Sequence, residues 1–461
     1  FVNRMADAEV PVAELVGDPV AELAALSPRR NPAIPLPRDI FPGRINSAGV
    51  DLADPLVREP LLAELSALPQ GAGQWTAAPT VKRAEAAPAQ PVRAPHDNAA
   101  IIGSCHPASA VEVDAMIGLT AAAQPDWDAL GGAGRAALLE QTADLYEANA
   151  WEFLSLCQRE AGKTLVDAVL ELREAVDFLR YYATEARRLF TPEGERLPGP
   201  TGEDNRLTLH GRGVFVAISP WNFPLAIFTG LIAGPLAAGN TVIAKPAEQT
   251  PLIAALAVRL MHQAGIPAEA VLLAPGDGTV GAMLTADPRI AGVAFTGSTE
   301  TARAINRSLA GRDGPLPILV AETGGQNAMI VDSSALPEQV TRDVVASAFQ
   351  SAGQRCSALR VLYLQDDVYD AMLDMIRGAF AALVIGNPEH SATDVGPVID
   401  AEAKVKLDAH IARMTKLGNT VWQRELPPSC AKGTFVAPTI IEIGSIRELD
   451  AEHFGPVLHV A

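Results

Sequence analysis

VFVAISPWNFPLAIFTGLIAGPLAAGNTVIAKPAE, residues 214–248, is the stretch on which the fold turns. The 31 residues 214–244 carry no charge, and on length alone that meets the requirement of a membrane span. Pro220, Pro224, Pro235 and two Asn interrupt it, and in a helix interior each proline removes a hydrogen bond and clashes with the preceding turn. The run therefore divides into a buried strand over 214–219, a proline-stiffened loop, a helix, and a second strand over 241–244. Strand, helix and strand at this spacing are the elements of a parallel α/β sheet.

The same texture continues downstream. Apolar runs at 271–274, 293–295 and 318–321 read as strands, with amphipathic helices at 251–264 and 299–309 between them. After Gly325 a second series begins, with a strand at 328–331, a helix near 336–350 and a strand at 360–364, so a second α/β unit is expected. Upstream, from 108 to about 190, apolar positions recur at three and four residues, most clearly through 136–156 and 165–182, which predicts helices. Residues 70–96 are rich in Ala, Pro, Gln and Gly with few large apolar side chains, and read as an exposed linker. Residues 1–68 hold short helical patterns at 12–16 and 61–68 around a Pro-rich stretch at 31–37, and read as an arm or connector. No internal repeat or low-complexity tract is evident.

A chain of 461 residues implies two or three units with a large buried core. Lys plus Arg number 36 against 54 Asp plus Glu, a formal charge of −18, and no local basic patch offsets that field, so nucleic acid is not an expected partner. The four cysteines, Cys105, Cys157, Cys356 and Cys430, lie far apart with no CxxC pair, so neither a zinc site nor a disulfide framework is implied and no metal is expected. A reducing compartment follows. The chain opens at Phe1 with neither an initiator Met nor a signal peptide, so it is expected to be a piece of a longer polypeptide.

Four loops carry residue types suited to chemistry. Cys356, in Gly353-Gln354-Arg355-Cys356-Ser357, stands between an expected helix and an expected strand. A lone Cys is commonly an inert buried residue, whereas a thiolate in an electropositive, polar loop is a nucleophile; the adjacent Arg355 leaves both readings open. Glu322, in Ala321-Glu322-Thr323-Gly324-Gly325, follows a strand, where a carboxylate faces either the ligand crevice of an α/β sheet or only solvent. In Pro220-Trp221-Asn222-Phe223-Pro224, the Asn222 amide offers donors for an oxyanion, or else bonds its own turn. Gly297-Ser298-Thr299-Glu300 lies between strand and helix, where backbone N–H groups can meet phosphate, although it is not the GxGxxG pattern.

Taken in order with Lys245-Pro246-Ala247-Glu248 and Glu452-His453-Phe454-Gly455-Pro456-Val457, these motifs resemble the aldehyde dehydrogenase superfamily from about residue 96 to the end. Further stretches resemble the proline utilization A family within it: Phe1-Val2-Asn3-Arg4, Ile34-Pro35-Leu36-Pro37-Arg38-Asp39, Asn46-Ser47-Ala48-Gly49, Arg173-Glu174-Ala175-Val176-Asp177-Phe178, and 352–361 around Cys356. The resemblance implies an α/β aldehyde dehydrogenase fold with three parts. An N-terminal arm and linker, 1–95, would be the tail of a proline dehydrogenase part. A Rossmann-like NAD-binding domain, 96–324, would include a possible oligomerisation segment at about 191–212. A second α/β catalytic domain, 325–461, would be C-terminally incomplete.

The implied activity is NAD-dependent oxidation of L-glutamate γ-semialdehyde, the open form of pyrroline-5-carboxylate, to L-glutamate, the second step of proline catabolism. In that scheme Cys356 is the nucleophile, Asn222 holds the oxyanion with the Cys356 backbone N–H, and Glu322 is the general base, a role favoured by burial that raises its pKa. Lys245 and Glu248 are implied at the adenosine ribose, Gly297 and Ser298 at the pyrophosphate, and Glu452 at the nicotinamide ribose, with Trp221 and Phe454 also against the cofactor. Arg355 and Ser357 are candidates for the substrate carboxylate, Glu174 for its amine, and Phe223 for its carbon chain. FAD would belong to the proline dehydrogenase part of the parent polypeptide, which is absent here. A homo-oligomer is a possible state, and the expected location is the bacterial cytoplasm, with peripheral attachment of the parent to the inner membrane. The stop just past the Phe-Gly-Pro-Val motif leaves the activity of residues 1–461 alone in doubt. The competing readings are an inactive NAD-binding fragment, a cysteine acyltransferase or hydrolase without redox chemistry, and an aldehyde dehydrogenase of other specificity.

Overall fold

The computed structural model describes residues 9–28, 30–68, 75–81 and 88–461. The opening motif at 1–4 and much of the expected linker, at 69–74 and 82–87, lie outside them. Two units are present, residues 1–48 and 49–461. In the first, α1 (Val12–Leu15) precedes α2 (Pro19–Ala25), which starts on an Asp18 cap accepting from the Val20 N–H at 2.9 Å. Pro19 at the first helical position has no N–H to leave unsatisfied.

The second unit begins with α3 (Pro55–Ala67), again capped by an aspartate, Asp54. The stretch expected to be exposed linker is instead partly sheet. Strands β1 (Trp75–Ala77) and β2 (Gln90–Ala94) flank β3 (Asp97–Cys105), parallel on one side and antiparallel on the other. Trp75, Ala77, Val92 and Ala94 are buried. Trp75 and Val92 alternate with the small Ala77 and Ala94 on the buried face, in strands too short for a period-two pattern to stand out in the sequence.

Four helices follow: α4 (Ala110–Ala129), α5 (Gly131–Ala148), α6 (Ala150–Ala161) and α7 (Leu165–Leu189). Along α7, Ala168, Leu172, Ala175, Leu179, Ala183 and Ala186 are buried at three- and four-residue spacing, and the alanines let it pack closely on α5. A hairpin of β4 (Glu195–Leu197) and β5 (Asn205–Leu207) leads into the main sheet, and its Leu197 and Leu207 are exposed.

That sheet alternates β6 (Val214–Ile218), α8 (Ala226–Ala237), β7 (Thr241–Lys245), α9 (Pro251–Gln263), β8 (Val271–Leu273), α10 (Gly278–Ala286), β9 (Ile290–Gly297), α11 (Thr299–Ala310) and β10 (Ile318–Thr323). The strand order is β10-β9-β6-β7-β8, and every pairing is parallel. Strands β6 and β7 are buried at every position, as central strands covered on both faces must be, hence the uncharged run. Among the described residues no helix is long and apolar enough to cross a membrane.

The chain then changes sheets. Strand β11 (Ala328–Val331) starts a second one, continued through α12 (Pro337–Phe349), β12 (Val361–Leu364), α13 (Tyr369–Ala381), α14 (Ala401–Lys416), β13 (Val421–Gln423), β14 (Thr439–Glu442) and β15 (Val457–Val460). Its order is β11-β12-β15-β14-β13, with only β13 antiparallel.

Candidate active site

Parallel strands deliver their following loops to one edge of the sheet, where a crevice forms. There β6 leads to Trp221 and Asn222, β7 ends at Lys245 and leads to Glu248, β9 leads to Ser298, and β10 contains Glu322. Lys245 is buried, and its Nζ donates to the Pro246 carbonyl at 3.0 Å. Burial lowers its pKa, opposed by Glu248 and Asp277. Glu248 is exposed. Ser298 caps α11, its hydroxyl accepting from the Thr301 N–H at 3.2 Å.

Cys356 sits on a loop entered through strained backbone. Ser351, Ala352 and Gly353 all have positive φ, at 57°, 53° and 66°. Two of the three are not glycine, and each such residue costs about 1–2 kcal/mol, so the surroundings must hold the turn in place. At Gly353 a Cβ would lie 2.1 Å from the Gly455 carbonyl oxygen. Gly353→Ala is accordingly expected to destabilise the protein by about 2 kcal/mol or more and to slow alkylation of Cys356, read from urea unfolding and from thiol labelling.

Beyond the turn, Gln354 is anchored on both sides of its amide: Nε2 donates to the Ser351 and Pro397 carbonyls, each at 3.2 Å, and Oε1 accepts from the Ile399 N–H at 2.9 Å. The Gln354 carbonyl receives the Asn222 Nδ2–H at 3.2 Å, which ties the oxyanion candidate to the segment two residues before the thiol. Asn327 clamps the other side, donating to the Cys356 carbonyl at 2.6 Å and that of Ala358 at 3.0 Å. Arg360 completes the frame. Its guanidinium donates to the carbonyls of Gly353 at 2.7 Å, Arg355 at 3.0 Å and Gly455 at 3.3 Å, and to Glu452 Oε1 at 3.1 Å. Cys356 itself is exposed, whereas Cys105, Cys157 and Cys430 are buried, with thiols pushed up by burial.

Beneath the loop lies a buried ionic cluster. Lys163 Nζ is 2.9 Å from Glu171 Oε1, 3.3 Å from the Ser351 hydroxyl and 4.7 Å from the centre of the Phe223 ring. Glu171 Oε2 accepts from the N–H groups of Leu225 and Ala226 at the start of α8. Asp167 is 1% exposed and accepts from Arg355 at 2.8 Å, Gln350 at 2.9 Å, the Ser351 N–H at 3.1 Å and Thr164 at 2.9 Å. Two acids of one helix, α7, thereby hold both the Asn222 loop and the Cys356 loop.

Residues 81–461 match the aldehyde dehydrogenase family. The chain belongs to that family. It is 49% identical over 480 residues to the bifunctional protein PutA of Escherichia coli strain K12, covering all of this chain and 35% of that protein. A crystal structure of proline utilization A from Bradyrhizobium japonicum superposes with a TM-score of 0.83 at 49% identity over 100% of this chain and 43% of that one. A Thermus thermophilus 1-pyrroline-5-carboxylate dehydrogenase structure superposes with a TM-score of 0.85 at 32% identity, covering 91% of this chain and 82% of that one. The chain spans about a third of the length of the curated PutA relatives it matches.

In this aldehyde dehydrogenase chain three candidate site residues lie in surroundings that the sequence did not specify. Glu322 is exposed rather than buried, because β10 is an edge strand whose last four residues are all exposed. Arg355 is already paired with buried Asp167, which also accepts the Ser351 N–H earlier in the same loop. Glu452 Oε1 pairs with Arg360, and Gly324, where a Cβ would lie 2.1 Å from Glu452 Oε2, gives that oxygen room. Trp221 and Phe454 meet edge to face with ring centres 5.6 Å apart, and the Arg360 guanidinium lies 5.0 Å from the Phe454 ring. Ser357 is exposed. Glu174 has surface access, yet neighbours crowd its carboxyl, which is raised by loss of water and by Glu171 and lowered by Lys163 and Arg355.

Sequence reading missed Lys163, Asp167, Glu171, Asn327 and Arg360. A detectable signal existed for the acids: Asp167 and Glu171 lie four residues apart, on the same side of α7 as its buried Ala168, Leu172 and Ala175.

Proposed function

We propose that the chain carries out the NAD-dependent oxidation of L-glutamate γ-semialdehyde to L-glutamate, with residues 96–324 binding the cofactor and 325–461 supplying the nucleophile. The observation that carries this reading is an accessible Cys356 on a strained, multiply anchored loop whose Gln354 carbonyl is bonded to Asn222. Similarity to proteins named PutA and 1-pyrroline-5-carboxylate dehydrogenase supports the substrate. It also supports a proline dehydrogenase part in the same natural polypeptide.

The residues present fit NAD. Lys245 is a buried ammonium with one carbonyl partner, and Ser298 caps the N-terminus of α11, beside which Gly297 adds no side chain that would block a pyrophosphate. Exposed Glu248 would accept ribose hydroxyls and repel a 2′-phosphate, favouring NAD over NADP. Glu452 would hold the nicotinamide ribose, with Trp221 and Phe454 also against the cofactor. Bound NAD supplies the hydride acceptor, and the remaining work falls to the chain.

The Cys356 thiolate forms a C–S bond to the aldehyde carbon, and the carbonyl electron pair moves to oxygen. That oxyanion is held by the Cys356 backbone N–H and by the Asn222 N–H not engaged with Gln354. After hydride departure leaves a thioester, Glu322 takes a proton from water as the new C–O bond forms and the thiolate leaves. Glu322 is exposed and so reached by water, which suits this step. Arg355 and Ser357 would meet the substrate carboxylate, Glu174 its amine, and Phe223 its carbon chain.

The natural full-length polypeptide given the semialdehyde and NAD should produce NADH. Its Glu322→Gln variant should release about one NADH per site in a burst and then slow, because acylation proceeds while hydrolysis lacks its base. Stopped-flow absorbance reads the burst; steady turnover equal to wild type would remove Glu322 from the mechanism. No NADH from the semialdehyde, with turnover of other aldehydes, would overturn the substrate.

A further inference from the structure

Behind the Cys356 loop, on the far side of Arg360, three histidines lie together. His410 on α14 stacks on His453 with ring centres 3.3 Å apart, and His459 on β15 meets His410 edge to face at 5.1 Å. His410 and His459 are buried. Among the described residues no group of His, Cys, Asp and Glu could hold a metal ion, and the ring nitrogens of His410 and His459 are all engaged with protein partners.

Those partners determine the proton positions. His459 Nδ1 is 3.0 Å from the Arg360 carbonyl oxygen, which can only accept, so Nδ1 carries the hydrogen. The His459 backbone N–H converges on the same oxygen at 2.9 Å. His459 Nε2 must then accept, and His410 Nε2, 2.9 Å away, donates to it. His410 Nδ1 is left to accept from Arg413 Nη2 at 3.2 Å. Arg413 is held in turn by Asp450 at 3.3 Å and by the Glu448 carbonyl at 3.3 Å. The result is a directed chain, Arg413 to His410 to His459 to the Arg360 carbonyl, in which each ring nitrogen of the two histidines has one partner. It ends on the residue whose guanidinium gathers the carbonyls of Gly353, Arg355 and Gly455 and the Glu452 carboxylate.

We propose that His410, His459 and Arg413 are positioning residues for the Cys356 loop, and that they act only while both rings are neutral. A single added proton has two places to go. At His459 Nε2 it faces the His410 N–H, and at His410 Nδ1 it faces the Arg413 N–H; either breaks one link. Most charged groups around the pair act with this. Arg413 on α14 and Arg360, just before β12, repel a proton, and His453 and His459 do so when charged. Asp450 on the loop before β15 favours one, but it is shared with Arg413 and His453, and Glu452 is occupied by Arg360. Burial, then the other two histidines and Arg413, lower His410 to about 3, and burial lowers His459 to about 4. Unfolded histidines take protons below about 6.5. The stabilisation from burying them neutral is therefore complete above that value and is lost as pH falls toward the folded values.

This inference rests on the proposed role of Cys356, so the test reads the loop without turnover: the rate of Cys356 alkylation by iodoacetamide in the natural full-length polypeptide, followed by peptide mass. Alkylation reports the loop even if Cys356 proves not to be the nucleophile, a separate failure that an active Cys356→Ala variant would reveal. His410→Phe keeps the stacked ring and removes the donor, and should slow alkylation about tenfold; His410→Gln restores a donor and should stay within about threefold of wild type. Equal rates for the Phe variant and wild type, or a Gln variant as slow as Phe, would overturn the relay. Arg413 is partly exposed, so Arg413→Met decides the matter even if the Phe variant does not fold. It opens His410 Nδ1 to a proton, and its alkylation rate relative to wild type should fall at least threefold between pH 8 and pH 5.5. A ratio independent of pH would mean that Arg413 is structural only and that the proposal is wrong.

Discussion

Cys356→Ala in the full-length polypeptide is expected to lower kcat for the semialdehyde by roughly 10^3-fold or more while leaving NAD affinity within about twofold. The two effects separate because of where the residues sit. The thiol is on the loop between α12 and β12, whereas Lys245, Glu248, Gly297 and Ser298 belong to the other sheet. The substitution removes the sulfur of an exposed residue, so unfolding free energy should change by less than about 0.5 kcal/mol. Loop geometry is set by Gln354, Asn327 and Arg360, none of which bonds the thiol. Steady-state NADH formation and titration of NAD binding check both halves, and substantial turnover by the variant would remove Cys356 from the chemistry.

Glu171→Ala is expected to cost about 3–5 kcal/mol of stability, the largest loss foreseen for a single side chain here. Glu171 is 1% exposed. Its removal strands the Lys163 ammonium, itself 4% exposed, and frees the Leu225 and Ala226 N–H groups that it accepts from. Leu225 and Ala226 follow Phe223 and Pro224, so the loop presenting Asn222 should loosen and kcat fall as well. The double variant Lys163→Met, Glu171→Leu removes both charges and should recover much of the stability but not the activity, because the two backbone donors remain unmet. Urea unfolding of the three proteins measures this. A loss below about 1 kcal/mol in the single variant would show that water reaches Lys163.

Which motifs could be read from the chain depended on how local their cause is. The uncharged run 214–244 broken by prolines specifies strand, loop and helix within its own length, and β6, α8 and β7 lie there. Residues 75–77 and 90–94 misled, because segments of three and five residues that hold Ala, Gln and Pro carry little strand signal of their own and become sheet only when β3 supplies the partner. The setting of Arg355 was not local either: adjacent to Cys356 in sequence, it is held by Asp167, 188 residues away.

The sequence by itself therefore determined the family, the alternation of strands and helices that builds two largely parallel sheets, and the strand ends and short loops in which Glu322, Asn222 and Cys356 stand, since these are written locally. Tertiary structure alone decided how those loops are held. Lys163, Asp167 and Glu171 act on residues more than fifty positions away, and Arg360, His410 and His459 come from the loop before β12, from α14 and from β15. A buried charge or ring is stable only beside a partner of the right chemistry. Nothing in the local pattern says which distant residue that partner is.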